Sequence, residues 1–206
     1  MTRSLARTLR NLLAAAAAAL PLLALAQDYQ VTIDTTPLAG IEGYFAIDLL
    51  QGTAGTSNTV TLTGFSSTSV LAAASPSGNV SGALPGSVTL ASTGFFNELL
   101  QAATFGAGVT TFTLSVSTEY LAGNTPDQFA VFLLDSSFAP FVTDDPTGAS
   151  ALLVLDLQPS APPQVFASEF ASVQVTQVPE PAPWALAAAG LAVFALRQKM
   201  RKPATR

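Results

Sequence analysis

The chain has 206 residues, of which 49% are hydrophobic and 10% are charged, and it contains neither histidine nor cysteine. The absence of cysteine excludes disulfide bonds and thiol chemistry, and the hydrophobic content favours a folded domain over a disordered chain. All eight basic residues lie at positions 3–10 or 197–206, whereas all thirteen acidic residues lie between positions 28 and 180. A central region that carries only negative charge is expected to repel nucleic acids and other polyanions.

The first 26 residues have the three parts of a secretory signal peptide. Residues 1–10 carry three arginines, an apolar run extends to Leu25, and Ala24 and Ala26 have the spacing of a signal-peptidase site. Cleavage after Ala26 would make Gln27 the new N-terminus. The alternative is a retained membrane anchor, which is disfavoured because a proline interrupts the apolar run. We therefore predict export across the inner membrane, with signal peptidase as a partner.

Residues 27–177 are predicted to form one domain of β-strands. Val, Thr, Ile and Phe alternate with small polar residues between clusters of Gly, Pro, Asn and Asp, a pattern typical of strands joined by turns. We expect about eight or nine strands in an all-β fold, a single antiparallel β-sandwich of the jelly-roll or immunoglobulin-like type. The predicted strands are 29–34, 43–50, 59–63, 87–90, 108–118, 129–134, 151–157 and 173–176.

Segment 95–105 can be interpreted in two ways. Phe96, Leu99 and Leu100 recur at helical spacing with Glu98 exposed, which favours a short helix, and a strand is the alternative. Turn residues elsewhere predict loops between the strands. These loops are 37–40, 52–58, 75–78, 84–86, 123–126, 144–148 and 159–163.

The chemical groups of the central region argue against catalysis. Residues 11–196 contain no His, Cys, Lys or Arg, so this region offers no ordinary base for a serine nucleophile and no thiolate or imidazole ligand for zinc. We therefore predict a protein that is not an enzyme and has no cofactor. Glycoside hydrolysis by paired carboxylates is the one reaction that this composition allows, although no acidic pair stands beside an aromatic-rich segment in the sequence.

Acidic residues supply one candidate metal site. Asp144 and Asp145 are adjacent, and calcium binds carboxylate and loop carbonyl oxygens. The alternative is ordinary turn chemistry, in which an Asp before Pro and Gly accepts backbone N–H bonds. Asp127 and Asp135 are expected to be neighbours if their strand ends nearby.

Contact with polysaccharide would need aromatic platforms and polar donors. Tyr44, Tyr120 and Asn97 are the candidates for this role if they are exposed. A carbohydrate- or calcium-dependent binding module is therefore an alternative function for the domain, beside a non-catalytic structural role. Ordinary packing is the alternative for each of these three side chains.

The C-terminal residues 178–206 have the order of a membrane stop-transfer element. A proline-rich start precedes an apolar run at 184–196 and a basic tail at 197–206. The run is shorter than the roughly 20 residues of an unaided membrane helix, but Trp184 suits a membrane interface and the cations suit the cytoplasmic side. The relevant residues are Pro179, Glu180, Pro181, Trp184, Arg197, Lys199, Arg201 and Lys202.

At these residues the chain resembles a PEP-CTERM protein-sorting domain. The resemblance implies that Pro179, Glu180 and Pro181 are the recognition motif, that 184–196 is the membrane segment, and that 197–202 is the cytoplasmic stop. It further implies processing by the integral-membrane exosortase. The destination it implies is the cell envelope, cell surface or extracellular matrix of a Gram-negative bacterium that makes extracellular polysaccharide or biofilm. An ordinary single-pass anchor after a proline linker is the alternative.

Two segments of the central region, 94–98 and 143–149, also resemble uncharacterised secreted proteins that carry this tail. That resemblance implies no activity.

Overall fold

The computed structural model describes residues 27–54, 57–158 and 161–178. The predicted signal peptide at 1–26 and the predicted sorting residues from 179 onward lie outside this range. No helix among the described residues is long and apolar enough to cross a membrane.

Twelve strands and one short 3-10 turn, Thr36–Leu38, form the regular structure of the described residues. All eight strands predicted without an alternative are confirmed. The strands are β1 Gln27–Asp34, β2 Glu42–Leu50, β3 Thr59–Ser67, β4 Val70–Ser77, β5 Val80–Gly82, β6 Val88–Ala91, β7 Phe96–Thr104, β8 Val109–Val116, β9 Asp127–Asp135, β10 Leu153–Leu157, β11 Gln164–Val165 and β12 Ser172–Val178.

The strands form two antiparallel sheets that pack face to face, which confirms the predicted β-sandwich. Sheet I has the order β12-β1-β8-β3-β6-β5, and sheet II has the order β11-β10-β9-β2-β7-β4. The chain passes from one sheet to the other at most of its connections, and it stays within a sheet only from β5 to β6 and from β9 through β10 to β11. Each strand therefore packs mainly against residues that are distant in sequence.

The core lies between the two sheets and is rich in phenylalanine. Alternate residues of each central strand point inward, as the period of two requires; in β8 these include Phe112, Leu114 and Val116, each 1% exposed. Phe45 and Phe105 meet edge to face with ring centroids 5.3 Å apart, a favoured aromatic geometry. Burial of each such side chain contributes about 1.5–3 kcal/mol, which is how a chain without disulfides holds two sheets together.

The prediction of a short helix at 95–105 is wrong, because this segment is strand β7. It pairs along its length with β2 on one side and β4 on the other. Its inward residues are Asn97, Leu99, Gln101 and Ala103, all buried. Two of these four are polar, so the inward face does not stand out as hydrophobic in the sequence, whereas the chance spacing of Phe96, Leu99 and Leu100 imitates a helix.

Three strands were not predicted, namely β4, β5 and β11. They are short or exposed, and β4 consists largely of Ala and Ser with a single Pro. The turn predicted at 75–78 lies later in the chain. Strand β4 continues to Ser77, and the turn begins at Gly78, whose φ is 72°. Exposed edge strands of small residues lack the apolar alternation on which strand prediction depends.

Candidate functional site

The outer faces of the two sheets differ in chemistry. The outer face of sheet I is polar, as expected for a solvent-facing sheet. Its hydroxyl and amide groups form cross-strand pairs, such as Thr61 with Thr89 at 3.0 Å and Thr113, which donates to Gln30 at 3.1 Å. The residues that share this face are Gln30, Thr32, Thr61, Thr89, Thr111, Thr113, Ser115, Gln174 and Thr176.

The outer face of sheet II is largely apolar. In β2, Phe45, Ile47 and Leu49 face the core, so the residues that alternate with them point out of the sandwich. The residues that pair with these outward positions on β7 and β9 share the same face. The apolar members of the face are Tyr44, Ala46, Leu50, Phe96, Leu100, Ala102, Ala130, Phe132, Leu134 and Val154.

Two carboxylates stand in the middle of this apolar face. Asp48 on β2 is directly opposite Glu98 on β7 and opposite Ala130 on β9. Asp48 is only 8% exposed, and its Oδ1 atom accepts no hydrogen bond. Burial raises the pKa of Asp48 to about 7, with a further contribution from the Glu98 charge, and burial also raises the pKa of Glu98.

This acidic pair was missed in the sequence. Asp48 and Glu98 are far apart in the chain and become neighbours only through the register of β2 and β7. The available signal was an acidic residue inside the otherwise apolar run 45–50, since a charge within a buried strand is costly unless it is paired. This run was predicted as a strand, but no role was predicted for Asp48, its one charged residue.

Asp144 and Asp145 accept hydrogen bonds from different backbone segments. The Asp145 carboxylate accepts the backbone N–H of Thr147 at 2.9 Å and that of Ala151 at 3.2 Å, while Asp144 accepts the N–H of Ala167 at 2.5 Å. Burial on its own would raise the pKa of Asp145, but its hydrogen bonds lower the pKa overall. The geometry is that of turn chemistry, and the described residues contain no group of three or more acidic side chains that could hold a metal ion.

Asp127 and Asp135 are not neighbours, which corrects the expectation that they meet. They occupy opposite ends of β9. Asp127 is 1% exposed and accepts the Asn58 side-chain amide at 3.0 Å and the Gly52 N–H at 2.9 Å. Asp135 accepts the N–H groups of its own turn, from Ser137 at 2.7 Å and Ala139 at 3.0 Å. Both carboxylates therefore hold loops.

The three candidate polysaccharide contacts occupy different environments. Asn97 is fully buried, and its amide donates to the carbonyls of Leu49 and Gly94, so it cannot serve as a surface contact. Tyr120 donates its hydroxyl to the Asn124 carbonyl at 3.1 Å. Tyr44 lies on the outer face of sheet II and stacks on the exposed ring of Phe138, with centroids 4.7 Å apart.

The last described strand extends to the predicted sorting residues. Strand β12 runs to Val178, and Val178 pairs with Asp28 at the start of β1. Both ends of the described domain therefore lie side by side in sheet I. Gln27, the residue after the predicted signal cleavage, is the first residue of β1. The predicted cleavage residues Ala24 and Ala26 and the sorting residues Pro179, Glu180, Pro181, Trp184, Arg197, Lys199, Arg201 and Lys202 lie outside the described residues.

These features define an all-β sandwich domain. Residues 177–202, the first two of which belong to β12, match the family model described as the PEP-CTERM protein-sorting motif. The chain thus carries the sorting signal expected from its sequence, which marks an exported protein directed to exosortase and implies a precursor anchored in the membrane by its C-terminal end. No curated protein and no solved structure matches the chain.

Proposed function

We propose that this chain is a non-catalytic protein of the cell envelope or extracellular matrix of a Gram-negative bacterium, released or relocated after exosortase processing and associated with extracellular polysaccharide or biofilm. The observation that carries the proposal is the position of Val178. Strand β12 completes sheet I and ends one residue before Pro179. Cleavage at or beyond the motif would leave every described strand intact, as a sorting signal requires.

The polar face of sheet I supports the association with polysaccharide. Its hydroxyl and amide groups can donate hydrogen bonds to sugar hydroxyls and accept hydrogen bonds from them. Sugar hydroxyls would thereby replace the ordered water that such polar groups bind. The domain carries no cation with which to bind acidic glycans directly, because residues 11–196 contain no Lys or Arg. We therefore propose neutral polysaccharide as the partner of this face.

The same absence of His, Cys, Lys and Arg supports a non-catalytic role. The pair formed by Asp48 and Glu98 favours one alternative, a glycosidase, since that chemistry needs an acid of raised pKa beside a second carboxylate. Sugar release from a glycan panel that disappears in Asp48→Asn would establish this alternative. Inactivity of the wild-type protein on the same panel would remove it.

The sorting proposal is tested by the intact mass of the protein recovered from the envelope and the medium of its native host. We expect loss of residues 1–26 together with the segment beyond the PEP motif. A variant in which Pro179, Glu180 and Pro181 are all replaced by Ala should keep its C-terminal segment. The control Pro183→Ala should be processed normally. A wild-type protein that retains its C-terminus would contradict exosortase processing.

The polysaccharide proposal is tested by retention of the protein on polysaccharide isolated from the host. The double variant Gln30→Ala with Thr113→Val removes a cross-strand polar pair from the face of sheet I and should reduce retention several-fold. Gln164→Ala removes an exposed amide from the edge of sheet II and serves as the control. Equal retention of all three proteins, or none for the wild type, would contradict this role for sheet I.

A further inference from the structure

A buried carboxylate oxygen without a partner marks a site on the outer face of sheet II. Among the buried side-chain oxygen and nitrogen atoms of the described residues, the Asp48 Oδ1 atom alone lacks a hydrogen bond. The side chain is 92% buried, since 8% of it remains exposed. An ionised carboxylate in this position loses hydration and gains no donor in return, which is costly.

The surrounding strands offer this carboxylate no compensation. On β7 the facing residue is Glu98, a second acid, and on β9 it is Ala130. The next residue in the row, on β10, is Val154, and the nearest further acid on this face, Asp156, accepts a bond from Gln128 at 3.0 Å. On the other side of Glu98 stands Ser77 of β4. No basic residue occurs between positions 11 and 196, so no Lys or Arg of the domain can form an ion pair with Asp48.

Two adjacent carboxylates without a cation require a proton or a cation from outside. A proton suits acidic conditions, but it satisfies one oxygen and leaves the second acid beside it. A divalent cation neutralises both acids. Its attraction to them is strengthened by the apolar side chains around the pair, which lower the local dielectric constant, and this gain has to exceed the cost of removing part of the ion's hydration shell. Glu98 is only partly buried, so water can reach the pair from the Glu98 side and complete the coordination shell.

We propose that Asp48 and Glu98 form a calcium site on the outer face of sheet II. Calcium accepts carboxylate oxygens in monodentate or bidentate modes and tolerates irregular geometry, whereas magnesium demands a near-ideal octahedron. We expect two carboxylates completed by water to bind calcium with a Kd of about 10⁻⁴–10⁻³ M, the range of extracellular calcium modules. The site is distinct from the acidic turn at Asp144 and Asp145, whose carboxylates accept backbone bonds instead. It does not depend on how the C-terminus is processed.

The test is thermal unfolding and calorimetric titration of the full chain in detergent at pH 8. Addition of 5 mM CaCl₂ after EDTA treatment should raise the Tm of the wild type by about 3 °C through binding to the folded state. Asp48→Asn and Glu98→Gln should each weaken calcium binding at least tenfold. The matched control is Glu42→Gln, which removes one charge from the same strand and face and should bind calcium as the wild type does.

Three results would overturn the proposal. The first is a wild-type Tm that calcium does not change. The second is an equal rise with MgCl₂ or with NaCl of matched ionic strength, which would indicate general screening. The third is a calcium response that persists in both variants, which would locate binding elsewhere, for example at Asp144 and Asp145. If Asp48→Asn fails to fold, Glu98→Gln carries the same comparison.

Discussion

Acidification from pH 8 to pH 5 in the absence of divalent cations is expected to stabilise this protein, and Asp48 is expected to cause most of the change. Burial, with a contribution from the Glu98 charge, raises the pKa of Asp48 to about 7 in the folded protein, whereas an Asp in an unfolded chain has a pKa of about 3.9. Between these values the folded state binds more protons than the unfolded state, so the free energy of unfolding falls as the pH rises.

The size of the effect follows from the two pKa values. Each pKa unit corresponds to about 1.4 kcal/mol, so the difference corresponds to about 4 kcal/mol of destabilisation that is fully present above pH 7 and relieved by about pH 4. Asp34 and Asp145 act in the opposite direction, because their pKa values are lowered in the folded state. Their contribution is lost only below about pH 4, outside this window.

The assay is urea unfolding followed by circular dichroism between pH 5 and pH 8, with EDTA present throughout. Asp48→Asn keeps the side-chain shape and removes the charge, so it should raise the free energy of unfolding at pH 8 by about 2–4 kcal/mol and flatten the pH profile. Glu42→Gln removes an equal charge from an exposed position and should leave the profile unchanged. A wild-type profile that is flat in this range, or an Asp48→Asn protein less stable than the wild type at pH 8, would refute the reasoning.

Urea unfolding also tests three structural substitutions. Asn58→Ala removes four side-chain hydrogen bonds. It should lower the free energy of unfolding by about 3 kcal/mol, since it leaves buried polar groups without a hydrogen-bond partner. Phe105→Ala empties a fully buried site and should cost about 3–5 kcal/mol, whereas Phe95→Ala, at a ring that is 74% exposed, should change stability by less than about 0.5 kcal/mol. Gly43→Ala would bring a Cβ atom to 2.2 Å from the Leu134 carbonyl and should cost about 2 kcal/mol or more. Equal losses for Phe105→Ala and Phe95→Ala, or a neutral Gly43→Ala, would contradict the packing described.

The fold class could be predicted because burial of one strand face leaves a direct trace in the sequence. In β8, Phe112, Leu114 and Val116 alternate with Thr and Ser, and the structure buries those three residues. Strand β7 shows where this trace fails. Asn97 faces inward to bond the carbonyls of Leu49 and Gly94, and Gln101 faces inward to bond that of Ala72. A strand that places hydrogen-bonding side chains in the core breaks the apolar alternation from which it would be predicted.

The order of strands and the acidic pair could not be predicted for a common reason. Most connections cross between the sheets, so neighbours within a sheet are separated in the chain. The Asp48–Glu98 pair depends on the register of two such strands, and a shift of one residue would turn one of the two acids toward the core. Turn chemistry at Asp145, by contrast, involves residues within six positions of one another and was therefore open to prediction as an alternative to calcium.

The first and last described residues lie at one end of the sandwich. The start of β1 and the end of β12 lie together, at the same end as the hydrogen-bonded side chains of Asn58 and Asp127. The opposite end of the sandwich carries the 3-10 turn and the loop with Phe138, whose ring is 57% exposed against Tyr44. Phe138 and Tyr44 therefore lie at the end of the described sandwich opposite to Val178, whereas the hydrogen bonds of Asn58 lie at the same end as Val178. The polar face of sheet I and the largely apolar face of sheet II, which carries Asp48 and Glu98, lie on opposite sides of the described sandwich.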